Sequence, residues 1–134
     1  MKKTRLQIEL LLYFSSDINI EHIAERIPII PTELKNKKDR NKSPNSDDNL
    51  EGFIRYSSGY LETLDLEDVC SNFIKTLLPA IEEIYMVIKQ FNGQARFEIV
   101  VEIGKIKPSL YFSRQLLLIT EKLEADIDID MYIL

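Results

Sequence analysis

The sequence predicts an α+β domain in two layers, a mostly antiparallel sheet with helices on one face. Three observations predict it. Several segments alternate apolar and polar residues at the period of a strand, and others carry apolar residues at helical spacing behind capping residues. The closing stretch from Ala125 alternates apolar with acidic residues up to Asp130 and continues as Met131, Tyr132, Ile133. Strands that alternate in this way bury one face of a sheet and leave the other partly open to water.

Arg5 to Phe14 is the first strand. Leu6, Ile8, Leu10 and Leu12 alternate with Gln7 and Glu9, and the apolar Leu11 and Tyr13 imply that the far end is covered on both faces. Asn19 caps a short helix, with Ile18 and Ile23 as its hydrophobic staple. Ile20, Ile23, Ala24 and Ile27 form the buried stripe, and Pro28 ends it. The stretch from Thr32 to Glu51 is polar, has Leu34 and Leu50 as its only large apolar residues, and reads as a mobile insertion of residues 32–51 in one domain spanning 1–134.

Phe53 to Tyr60 is the next strand, ending near Gly59. Asp65 caps the main helix, on which Leu66, Val69, Cys70, Phe73, Ile74 and Leu77 share one side. Pro79 lacks an N–H and clashes with the preceding turn, so the helix kinks or breaks and a second runs from Ala80 to Phe91. Asn92-Gly93 supplies its stop. Arg96 to Lys105 alternates again, with Phe97, Ile99, Val101 and Ile103 inward and Arg96, Glu98 and Glu102 outward. Leu110 to Phe112 is expected to form a short strand, and Ser113 to cap a helix carrying Leu116, Leu117, Thr120 and Leu123. The final strand turns Ile127, Ile129, Met131 and Ile133 inward and Asp126, Asp128, Asp130 and Tyr132 outward. From Phe53 onward the order is strand, helix, strand, short strand, helix, strand: ferredoxin-like elements, with a strand and a helix in front.

At 134 residues the chain fits one domain. A single cysteine, Cys70, rules out an internal disulfide and agrees with a reducing compartment. The basic start Met1 to Arg5 resembles the first part of a signal peptide, but Gln7 and Glu9 break the apolar run behind it and no small-residue cleavage site follows. No stretch approaches the roughly 20 apolar residues of a membrane helix, so the expected location is the cytoplasm. A net charge of −5 argues against nucleic acid as a general partner.

Four features together resemble a known bacterial family. They are Ile27-Pro-Ile-Ile-Pro31, the strand Tyr56-Ser-Ser-Gly-Tyr60 leading into Leu64-Asp65, the proline-broken helix, and the closing Asp128-Ile-Asp-Met-Tyr132. From about Ser15 to Tyr132 the chain is similar to the family catalogued as domain of unknown function 4279. The resemblance implies a small α+β domain and brings no established activity. The family pattern carries a Gly-Asp pair and a Trp between the first helix and second strand; here that place holds the polar insertion, and the chain has no Trp.

No complete catalytic, phosphate-binding or metal-binding constellation stands out, and no cofactor is expected. The candidate surface is the polar face of the closing strand, Asp126, Asp128, Asp130 and Tyr132, with Arg55, Arg96 and Glu98 on strands that turn the same way. Neighbouring aspartates on one side of a strand lie roughly 7 Å apart and repel by about 0.6 kcal/mol in water and about 2.4 kcal/mol at an effective dielectric near 20. Arg5, Arg55 and Arg96 are the candidates to balance them. One reading is a solvated face that protects the sheet edge. A second is a binding surface for a basic or polar protein partner. A divalent-metal site is the weakest of the three, because side chains on one pleat do not converge on a point.

His22 lies opposite the apolar stripe of its helix between Glu21 and Glu25, without a nucleophile beside it. Cys70 falls on an apolar helix face and reads as an inert thiol. Lys35, Lys37, Lys38, Arg40 and Lys42 could contact phosphate or an acidic protein, but no aromatic residue lies among them for base stacking. The leading expectation is a noncatalytic protein-interaction domain, immunity-type in one concrete form. The alternative is a small-ligand sensor or enzyme using a cleft where Tyr13, Tyr56, Tyr60 and Tyr132 gather.

Overall fold

The computed structural model describes residues 2–14, 18–36 and 52–134. Strand β1 (Arg5–Phe14) lies in the middle of a mixed, mostly antiparallel sheet of order β2-β3-β1-β5-β6. Its neighbours β3 (Gly52–Ser57) and β5 (Gln94–Ile103) are both antiparallel to it, and β2 (Glu33–Lys35) pairs with the outer edge of β3. The closing strand β6 (Asp126–Ile133) runs parallel to β5. A parallel neighbour needs a crossover, and residues 104–125 supply it.

A short strand, β4 (Leu61–Glu62), pairs with Arg5 and Leu6 beyond the point where β3 leaves the same edge of β1. Between the two, Ser58 takes over the pairing: its amide donates to the Ile8 carbonyl at 2.9 Å, and its hydroxyl accepts from the Ile8 amide at 3.0 Å. Gly59 turns the chain in the left-handed region, φ 74°. The strand expected over Phe53–Tyr60 is thus two strands separated by a bulge.

Three of the helices start where their capping residues predict. Asn19, Asp65 and Ser113 accept from the amides of Glu21, Glu67 and Leu116 and open α1 (Ile20–Glu25), α2 (Leu66–Leu77) and α4 (Arg114–Lys122). At Pro79 the helix tightens into one 3₁₀ turn, Leu78–Ala80, before α3 (Ile81–Gln90). Asn92 takes the left-handed stop position (φ 55°), and Gly93 meets a different need. A Cβ there would stand 2.5 Å from the Phe14 ring, so the turn can lie on the end of β1 only without one.

The core forms between the helices and one face of the sheet. Leu6, Ile8, Leu10, Leu12 and Phe14 of β1 are fully buried, as are Phe97, Ile99 and Val101 of β5, and all four helices contribute to the same cluster. Four expectations need correction. Residues 33–35, placed in a structureless insertion, form β2, because the edge of β3 offers them a partner; residues 37–51 of that insertion lie outside the described residues. Leu110–Phe112 is not a strand: only Ser109 bridges, to Asp65, so this part of the ferredoxin-like order is missing. On α4 the buried residues are Leu116 and Ile119 with Leu123 just after it, and Leu117 is exposed, because a 3-then-4 spacing from Leu116 selects Ile119. On β6, Ile127 and Ile129 pack against the core, but Met131 and Ile133 are 56% and 86% exposed.

This uneven cover yields a graded prediction. Deleting residues 127–134 strips the edge of β5 and should leave an aggregating or unfolded product. Removing only Met131–Leu134 should leave a soluble fold, because those side chains are largely in water. Solubility and a thermal melt of the two truncations check this; a soluble 1–126 fragment melting like the full chain would contradict it.

Candidate functional site

The face of the sheet away from the helices carries the sequence-predicted residues, in rows fixed by the strand register. One row crosses four strands as Ser57, Glu9, Glu98 and Asp128, each directly opposite the next. The row on one side holds Glu33, Arg55, Leu11, Arg96 and Asp126. On the other side lie Gln7, Val100 and Asp130, and then Arg5, Glu102 and Tyr132. The register therefore gathers all seven predicted residues on one face. Glu98 sits across from Asp128, Arg96 across from Asp126, and Tyr132 across from Glu102. Arg55 lies on the far side of β1.

The arginines do not neutralise the aspartates as expected. Arg5 donates to Glu102 at 2.5 Å and stacks over the Tyr60 ring at 4.1 Å. Arg55 reaches Glu33 at 2.5 Å and Glu9 at 3.5 Å. Arg96 faces Glu98, in its own strand, at 3.9 Å. Among the described residues no lysine or arginine lies within ion-pair distance of Asp126, Asp128 or Asp130. Glu9, Glu98 and Glu102 sit closer to the middle of the sheet than the aspartates and Glu33 lies at the far edge, and these four take the arginines, which leaves the carboxylates of β6 to solvent.

Glu98 registers the imbalance. Burial raises its carboxyl above the ordinary range, and the charges of Glu9, Asp128 and Asp130 push the same way against the lowering effect of Arg96. Glu102 behaves oppositely: the hydrogen bond from Arg5 holds its carboxyl below the ordinary range. Glu9, which sequence reasoning did not single out, is only 7% exposed at the centre of the charged row. The signal was available, because a strand apolar on both faces beyond Leu11 implies that its polar residues have neighbours on both sides.

The other candidates separate. Tyr13 projects from the charged face and Tyr56 from the opposite one, while Tyr132 is on the edge strand, so the four tyrosines do not share a cleft. Tyr56 and Tyr60 both line a groove between the β3–β4 bulge and α2, and Tyr60 also hydrogen-bonds Glu102, the residue opposite Tyr132. Cys70 is buried, and burial, with a contribution from Glu67, pushes its thiol up to about 12, which keeps it protonated at neutral pH. His22 is exposed on α1. Lys35 is exposed on β2, and the remaining basic residues of that segment lie outside the described residues. No group of three or more His, Cys, Asp or Glu among the described residues is arranged to hold a metal ion. No helix among them is long and apolar enough to cross a membrane.

The model of one family, described as Domain of unknown function (DUF4279), matches residues 4–134. The chain belongs to the DUF4279 family. No curated protein and no solved structure matches it. Membership covers essentially every element described above, both layers and the closing strand with its carboxylates, and attaches no activity to them.

The two glutamates make opposite predictions. A carboxyl raised in the folded state binds a proton there more readily than in the unfolded chain. Stability therefore falls as pH rises from the ordinary carboxylate range through the raised value, and Glu98 is destabilising at neutral pH. Glu98→Gln should melt above the wild type near pH ~7 and lose that advantage near pH ~3. The lowered carboxyl of Glu102 contributes stability above the ordinary range that is lost on acidification, so Glu102→Gln should melt below the wild type at neutral pH. Thermal melts across pH read both signs, and a Glu98→Gln variant less stable than wild type at neutral pH contradicts the assignment.

Proposed function

We propose that this domain is a noncatalytic interaction module that binds a basic protein partner through the sheet face bearing Glu98, Asp128 and Asp130. The observation that carries the reading is the row Glu9, Glu98, Asp128: three carboxylates opposite one another on adjacent strands. Like charges in that position cost stability, on the order of 0.2–1 kcal/mol per pair. Arg55 offsets Glu9, and Arg96 approaches Glu98 only at 3.9 Å, while Asp128 has no ion-pair partner among the described residues. A partner supplying lysine or arginine side chains relieves the repulsion on binding and gains electrostatic steering toward the face. A sheet face presents these groups side by side at spacings fixed by the strand register, which suits surface complementarity better than enclosure of a substrate. An immunity-type role, in which the domain covers a cationic toxin, is one form of this reading. The location consistent with it is the cytoplasm.

A defined basic probe tests the surface. Hexa-arginine titrated into the protein and followed by amide chemical shifts should perturb β5 and β6 around Glu98, Val100, Asp128 and Asp130 at low salt. Because exposed charges are screened over about 3 Å at 1 M salt, binding should fade as salt is added. The pair of substitutions Glu98→Gln and Asp128→Asn should weaken binding several-fold. Shifts spread evenly over the acidic surface, or binding indifferent to these substitutions, would overturn the proposal.

A further inference from the structure

The groove between the β3–β4 bulge and α2 has a volume of about 330 Å³. Pockets for small ligands begin near about 300 Å³. Val69, Phe73 and Leu77 of α2 give it apolar walls, with Tyr56 of β3 opposite. Tyr56 is 4% exposed, and its hydroxyl is buried with no hydrogen-bond partner among the described residues. Burial raises its pKa, so it stays a protonated donor. A buried hydroxyl left without a partner destabilises the fold, and phenylalanine at this position would avoid that loss.

The rim has the complementary character. Ile30 is 94% exposed at the mouth, and Tyr60 and Leu61 stand beside it partly in water. Asp68, Asn72 and Thr76 follow one another at a spacing of four along α2 and line one side. Thr63 donates to Asp68 at 2.6 Å, and Thr76 donates to the Asn72 carbonyl at 3.2 Å. The Asn72 carboxamide has no partner among the described residues. No lysine, arginine or histidine lines the groove among those residues, and Asp68 on the rim disfavours an anion.

We propose that this groove binds a small neutral amphipathic molecule carrying an amide or ketone carbonyl. The carbonyl oxygen accepts from the Tyr56 hydroxyl, the apolar body packs on Val69, Phe73 and Leu77, and the Asn72 carboxamide takes a second polar group at the rim. Exposed Ile30 and Leu61 lose their water when the ligand is seated. The bulge at Ser58-Gly59-Tyr60 forms one lip of the groove, a placement common for bulges beside binding sites. The proposed contacts use none of Glu98, Asp128 and Asp130, so the two readings can be tested separately, although Tyr60 on the lip also stacks with Arg5 and bonds Glu102.

Acetanilide, an aryl amide of suitable size, serves as the probe, with benzoate as an anion of similar shape. Amide shifts in the full chain should move at Tyr56, Val69, Asn72 and Phe73 with acetanilide and not with benzoate. Tyr56→Phe should weaken acetanilide about fivefold, the worth of one hydrogen bond, and Asn72→Ala should weaken it by a smaller factor. In the free protein, Tyr56→Phe should melt at the wild-type temperature or above it. Three results would each overturn the proposal: no localised shifts at millimolar acetanilide, equal binding of benzoate, or a Tyr56→Phe variant that melts well below wild type. The last would mean that the hydroxyl already has a structural partner.

Discussion

Strand β1 is paired along both edges and packed against the helices on one face, and the remaining elements take their positions from that constraint. Its even-numbered residues from Leu6 to Phe14 are the floor of the core. Its odd-numbered residues Glu9 and Leu11 are also buried, although they point away from the helices. With β3 and β4 sharing one edge and β5 occupying the other, the register of β1 decides which side chains stand opposite each other across the sheet. A slip of one residue would send Leu6, Ile8 and Leu10 to the charged face, so the register is held by the burial of the whole row.

That same register creates the electrostatic character of the open face. Glu9 at the centre faces Glu98, which faces Asp128, and the pleat leaves none of them another direction to point. The arginines on the same face settle on Glu102, on Glu9 with Glu33, and near Glu98. Charge is thus compensated near β1 and left over at β6. A surface that carries uncompensated charge in a fixed pattern favours partners of opposite charge, and this links the fold to the proposed interaction.

Much of the fold was legible because local signals agreed with tertiary ones. Asn19, Asp65 and Ser113 cap the helices they were expected to cap, and the alternation in β1, β5 and the first half of β6 matches the buried face. What failed to show were features set by neighbours. Strands β2 and β4 are three and two residues long and exist because β3 and β1 offer edges. The exposure of Met131 and Ile133 depends on what packs over the end of β6, which alternation does not encode. The candidate face was legible as a set of residues, since strand parity puts them on one side. The burial of Glu9 and the diversion of the arginines to glutamates were not, because both depend on strand order.

Glu98 and Asp128 stand opposite one another on adjacent strands, and their charges repel in the folded protein. A double-mutant cycle of Glu98→Gln and Asp128→Asn, read as unfolding free energy at neutral pH and low salt, tests that repulsion directly. Each substitution alone should raise stability, and the double variant should gain less than the sum of the two, because either one already removes the shared repulsion. Additive effects, or a loss of stability in both single variants, would contradict the account.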